Sequence, residues 1–180
     1  MARRRRWVER LAALTAAVVL AAPLSTSAER RRSEWAQVGD VSRGALLQAM
    51  NEQRARRGLP PLHRNVRLDA AAGDRIRDMF EYGYFDHVAP DGTEPFVWVR
   101  DRGYRYVRVG ENLATGQRAA RQVVEQWMGS PGHRANVLGN FEDTGIAIAP
   151  GSPDGRSGHG YTFVAMYGRA RDDGRTAWGR

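Results

Sequence analysis

The run Tyr161-Thr162-Phe163-Val164-Ala165-Met166-Tyr167 constrains the fold more than any other stretch of this 180-residue chain. Its nearly continuous apolar character predicts a central strand buried on both faces, because a strand with one wet face alternates. A sheet with such a strand needs cover on each side. Residues 144–149 predict a neighbouring strand, and the Gly-, Pro-, Ser- and Asp-rich segment 150–158 reads as the hairpin loop between the two. A third strand starts at Tyr106, where Val107, Val109, Glu111 and Leu113 alternate onto one face.

The remaining periodicity is helical. Ser42 caps a helix to about Arg57, with Leu46, Ala49, Met50 and Gln53 inward and Gly58 as its stop. Residues 68–82 repeat Ala72, Ile76, Met79 and Phe80 at helical spacing and end at Gly83. Gly73 weakens this helix unless a close packing contact uses the missing side chain. Thr93 is expected to cap a short helix over 95–102, with Phe96 and Val99 inward. A helix over 118–129 buries Ala120, Val123, Val124 and Trp127, and Ser130-Pro131 starts another through Leu138. The fold class is α+β, an antiparallel sheet with helices packed on its faces.

The N-terminus reads as a secretory signal peptide over residues 1–28. Arg3 to Arg6 form its basic start, Leu11 to Leu24 its apolar run, and Thr26-Ser27-Ala28 its small-residue cleavage site. The alternative is an uncleaved anchor, for which the apolar run is short against the ~20 residues of a span. Residues 29–41 read as a flexible lead-in, 42–169 as the domain and 170–180 as a polar tail. Cleavage would remove five Arg and Glu9, taking the formal net charge from +8 to +4. The basic residues are all Arg and are scattered rather than striped with aromatics, which argues against nucleic-acid binding. The absence of Cys excludes disulfides, a thiol nucleophile and a thiolate metal site. A domain of this length buries enough surface to be stable without such links.

Three residues carry the candidate chemistry. Glu111 is a carboxylate on an otherwise apolar strand face, which costs several kcal/mol to bury unless it is partnered. His87, after Phe85-Asp86 and before the turn at Pro90-Asp91-Gly92, and His133, in Ser130-Pro131-Gly132-His133-Arg134, could share a divalent metal with it. The plainer alternatives are a turn histidine at 87, a first-turn helix histidine at 133 and a solvent-facing Glu111. Ser130 is read as an N-cap, with a Ser130–His133 nucleophile pair as a weaker reading. Glu125, His63 and His159 are assigned to solvent.

Gly110-Glu111-Asn112-Leu113-Ala114 and Trp127-Met128-Gly129-Ser130-Pro131-Gly132-His133-Arg134-Ala135-Asn136-Val137-Leu138, preceded by Phe85-Asp86-His87 and Pro90-Asp91-Gly92-Thr93, resemble the CAP superfamily of cysteine-rich secretory, antigen 5 and pathogenesis-related proteins. The match is closest to cysteine-free bacterial secreted members and covers roughly residues 42–169. The resemblance implies a three-layer α-β-α sandwich with a small antiparallel sheet. It also implies a cleft of two His and two Glu that binds zinc in some members. His87, His133 and Glu111 occupy three of those positions; the second Glu is replaced here by Ser130. The expected function is therefore an exported, monomeric binding module for a lipid, cell-wall component or protein, whose His/Glu cleft takes zinc weakly and reversibly. The alternative is a metal-dependent hydrolase acting on peptides or esters, with Glu111 as general base.

Overall fold

In a computed structural model the described residues are 40–156 and 158–171. The expected signal peptide (1–28), nearly all of the lead-in and most of the tail lie outside them. The elements in order are α1 (Arg43–Ala55), β1 (His63–Arg64), α2 (Val66–Tyr82), α3 (Val97–Asp101), β2 (Tyr106–Gln117), α4 (Ala120–Gly129), α5 (Pro131–Val137), β3 (Asp143–Pro150) and β4 (Tyr161–Ala170).

The four strands form one sheet in the order β1-β3-β4-β2. The run at 161–167 is indeed central, pairing antiparallel with β2 on one side and β3 on the other. Alternate side chains of β4 enter two separate cores, one on each face of the sheet. Phe163, Ala165 and Tyr167 pack under α1, α4 and α5 with Leu46, Met50, Val123 and Trp127. Val164 and Met166 pack under α2 and α3 with Leu68, Ala72, Met79 and Val99. The molecule is thus an α+β, three-layer sandwich.

Several local expectations are corrected. The sheet is not wholly antiparallel: the two-residue β1, unforeseen in the sequence, pairs parallel with β3. Val107 is 61% exposed, because a bulge between Tyr106 and Arg108 turns it off the face that Val109, Glu111 and Leu113 share. Phe80 is 37% exposed; the buried stripe of α2 is Leu68, Ala71, Ala72, Arg75, Ile76 and Met79. Arg54, rather than Gln53, completes the inward face of α1. Thr93 does not cap α3, whose N-cap is Phe96 and which has no side-chain cap bond; the Thr93 amide instead donates to Asp91 Oδ1 at 2.9 Å. Ser42 does cap α1, its side chain accepting from the Ala45 amide.

Candidate functional site

β2 is an edge strand, and the loop after α2 and the helix α5 meet over it from opposite layers. Gly83, at φ 68, ends α2 in the left-handed region that an L side chain rarely adopts. The chain then turns back across the sheet and delivers His87. On the other side, α5 is tied to β2 by asparagines of the two long motifs. Asn112 Nδ2 donates to the His133 carbonyl oxygen at 3.0 Å and to Tyr167 Oη at 3.2 Å. Asn136 Nδ2 donates to the Glu111 carbonyl oxygen at 3.0 Å and to Asn112 Oδ1 at 2.9 Å. Gly110 permits this approach, since a Cβ there would lie 2.7 Å from Asn136 Oδ1. Trp127 Nε1 adds a bond from α4 to the Leu113 carbonyl at 3.0 Å. Much of the motif is therefore scaffold that holds His133 over the strand.

Glu111 is buried, as the alternation implied, and each of its carboxylate oxygens has a partner. Oε1 lies 2.7 Å from His87 Nδ1 and Oε2 accepts from Arg75 Nε at 3.1 Å. The Arg75 side chain is 0% exposed and that of Glu111 1%. A buried carboxylate that meets a guanidinium on one oxygen and an imidazole on the other has the partners its desolvation demands. Arg75 also donates to Tyr84 Oη and to the Asp86 carbonyl oxygen. Its guanidinium carbon stands 4.8 Å from the Trp98 ring centroid and 5.3 Å from that of Tyr84. The Tyr84 hydroxyl donates to Asp78 Oδ2, and burial, reinforced by that carboxylate, pushes the phenol up to about 12.

The two histidines differ. The His87 side chain is 49% exposed, and its bond to Glu111 raises its pKa against the opposing effect of burial. His133 is pushed down, by burial first and by His87 second. Its Nδ1 is buried without a hydrogen-bond partner, so it does not engage Ser130. Ser130 holds the extended N-cap conformation of α5 but makes no side-chain cap bond. The ring centroids of His87 and His133 are 6.5 Å apart. The cleft therefore brings together His87, Glu111 and His133, with Ser130 at the start of the same helix. Glu125, His63 and His159 are exposed, as expected. A groove of 560 Å³ between α1 and α4, lined by Asp40, Glu52, Arg121 and Glu125 among others, shares no residue with the cleft.

Two nitrogens suit a metal in kind. With Nδ1 of His87 turned to a carboxylate, Nε2 is the nitrogen left to ligate, the usual outer-shell arrangement of a metal-bound histidine. The spacing is loose: two imidazole nitrogens about 2.0–2.1 Å from a tetrahedral zinc bring ring centroids to about 5 Å. Glu111 stands behind His87 rather than beside it. No group of three His, Cys, Asp or Glu able to hold a metal occurs among the described residues. The donors fit a weak two-imidazole site that the half-exposed His87 would have to close.

Comparison with known proteins agrees with this frame. The model of the cysteine-rich secretory protein family, CAP, matches residues 47–167. The Bacillus subtilis protein YkwD is 37% identical over 102 residues, covering 56% of this chain and 40% of that protein. A Bacillus subtilis membrane protein, YlbC, is 26% identical over 116 residues, covering 64% of this chain and 34% of its own length. The chain thus spans less than half the length of these curated relatives. Among solved structures, an outer surface protein from Borrelia burgdorferi superposes with a TM-score of 0.61 at 20% identity, over 70% of this chain and 90% of that one. An extracellular protein containing an SCP domain from Bacillus anthracis does so with a TM-score of 0.59 at 22% identity, over 69% of this chain and 39% of that one.

Proposed function

Since the chain belongs to the CAP family of cysteine-rich secretory proteins, we propose that it is an exported binding module whose His87–Glu111–His133 cleft takes a ligand or partner outside the cytoplasm. The observation that carries this reading is the state of Glu111. Both of its oxygens are committed, one to Arg75 and one to His87. A general base must reach substrate or water; this carboxylate, 1% exposed, orients an imidazole instead. Ser130 has no bond to His133 Nδ1 that would activate it as a nucleophile. His87 faces outward, its side chain half-exposed and fixed from behind.

Zinc is the simplest probe of the cleft. His87 and His133 would hold it, with Glu111 in the outer shell of His87 and the bound ion able to polarise a ligand oxygen. Binding is weak and reversible, because two protein nitrogens leave half of a tetrahedral shell to be filled. Calorimetric titration of the wild type beside His87→Ala and His133→Ala tests it; equal heats in all three would remove the metal from the cleft. Turnover on peptide and ester panels, with and without zinc, separates binding module from hydrolase. Metal-dependent turnover lost in Glu111→Gln would reverse the preference.

Export is supported by the leader-like residues 1–28 and by the extracellular and outer-surface descriptions of the structural neighbours. No helix among the described residues is long and apolar enough to cross a membrane. N-terminal sequencing of extracytoplasmic material should begin near Glu29, with the domain at 42–169 following the short lead-in.

A further inference from the structure

We propose that Arg75 is the positioning residue of the cleft, fixing the His87 imidazole in one tautomer and one orientation through two of its contacts at once. The inference rests on the reading of His87 as the working side chain of the site. Arg75 belongs to α2 and does not line the outer cleft, since its side chain is fully buried. Its Nε holds Glu111 Oε2 at 3.1 Å, which leaves Oε1 to meet His87 Nδ1 at 2.7 Å. Its Nη2 donates to the carbonyl oxygen of Asp86, the residue that precedes His87. One guanidinium thus grips both the carboxylate behind the ring and the backbone that carries the ring.

The third direction of the fork anchors Arg75 itself. Nη1 donates to Tyr84 Oη, which in turn donates to Asp78 Oδ2. Trp98 and Tyr84 stand over the guanidinium at 4.8 and 5.3 Å. A planar fork with donors in three directions is what this grip requires, and Lys, a single point donor, cannot reproduce it. With an ionised acceptor locked against Nδ1, the neutral ring carries its proton on Nδ1 and presents the Nε2 lone pair outward. That is the nitrogen that reaches a metal or a ligand proton.

The test reads the ring nitrogens of His87 by ¹⁵N NMR in the full chain, above its titration, in wild type, Arg75→Met, Arg75→Lys and Tyr84→Phe. The expected result is a single Nδ1–H tautomer in wild type and a mixture in Arg75→Met. Arg75→Lys should be intermediate, and Tyr84→Phe, which keeps the ion pair and the fold, should shift in the same direction by less. Zinc affinity should also fall in Arg75→Met, by no more than the roughly 10- to 100-fold typical of losing the outer-shell partner itself, here Glu111. An unchanged tautomer in folded Arg75→Met, or in Tyr84→Phe and Arg75→Lys if the Met variant does not fold, overturns the proposal. If zinc fails to bind the wild type while the tautomer still depends on Arg75, the metal reading falls and the positioning role stands.

Discussion

His87 and His133 are the same side chain placed in opposite electrostatic settings. The Glu111 bond stabilises the protonated His87 ring, whereas burial and the neighbouring His87 disfavour protonation of His133. In an NMR titration the His87 midpoint should therefore lie above 6.5 and that of His133 below it. The two have opposite consequences for stability. The contribution of His87 is fully present below 6.5 and disappears as pH rises through its raised folded value. That of His133 is present above 6.5 and disappears as pH falls through its depressed folded value. Glu111→Gln should bring the His87 midpoint down, because a neutral amide cannot stabilise the imidazolium as a carboxylate does. A midpoint that stays put would mean that Glu111 does not hold the ring.

At the scale of elements, α2 carries a liability and α1 an anchor. Gly73 lies in the interior of α2, and a Cβ built there meets nothing within 4 Å. No close packing contact uses the missing side chain, so Gly73→Ala should stabilise the fold by up to about 1 kcal/mol in chemical denaturation. Arg54 does the opposite on α1. Its buried guanidinium donates to the carbonyls of Pro60, Val137, Gly139 and Phe141 at 2.8–3.1 Å, closing the C-terminal end of the helix that bears His133. Arg54→Met should cost about 3 kcal/mol or more, since each stranded carbonyl is worth about 1–3. A loss below 1 kcal/mol would show that solvent reaches those carbonyls.

The same elements show what local pattern can reveal. The buried stripe of α4 and the central strand were legible, because each is a periodicity of apolar residues read directly along the chain. The Glu111 carboxylate was legible as a polar exception on an apolar face. Its partner was open to the same logic: Arg75 falls three residues after Ala72 and four before Met79, on the stripe that α2 buries. Two lone opposite charges on two apolar faces are a signal for an ion pair between them. What could not be read locally depends on distant pairing. The strand at His63–Arg64 exists only because β3 lies beside it, and Val107 leaves its face only because β4 imposes a bulge.

At the scale of the whole molecule, the cleft is a by-product of layering. His87 comes from the α2 side of the sheet, His133 from the α5 side and Glu111 from the edge strand between them. Stability resides elsewhere, in two apolar cores that sandwich β4. A structural zinc site would behave otherwise, because the free energy of metal binding there is folding free energy and chelation unfolds the domain. Here a chelator should leave the thermal midpoint of the protein without added zinc unchanged. Added zinc should raise it only by mass action, through RT ln(1 + [Zn]/Kd), which amounts to about 2.7 kcal/mol at a hundredfold excess over Kd. The rise should vanish in His133→Ala, which removes one of the two proposed ligands, and should shrink as pH falls and protons compete for His87. Calorimetric scans across a zinc series, with and without chelator, read all of these together. A chelator-induced fall in the midpoint of the protein as purified, with no zinc added, would place a tightly held ion in the fold and overturn the proposal of a weak, reversible site.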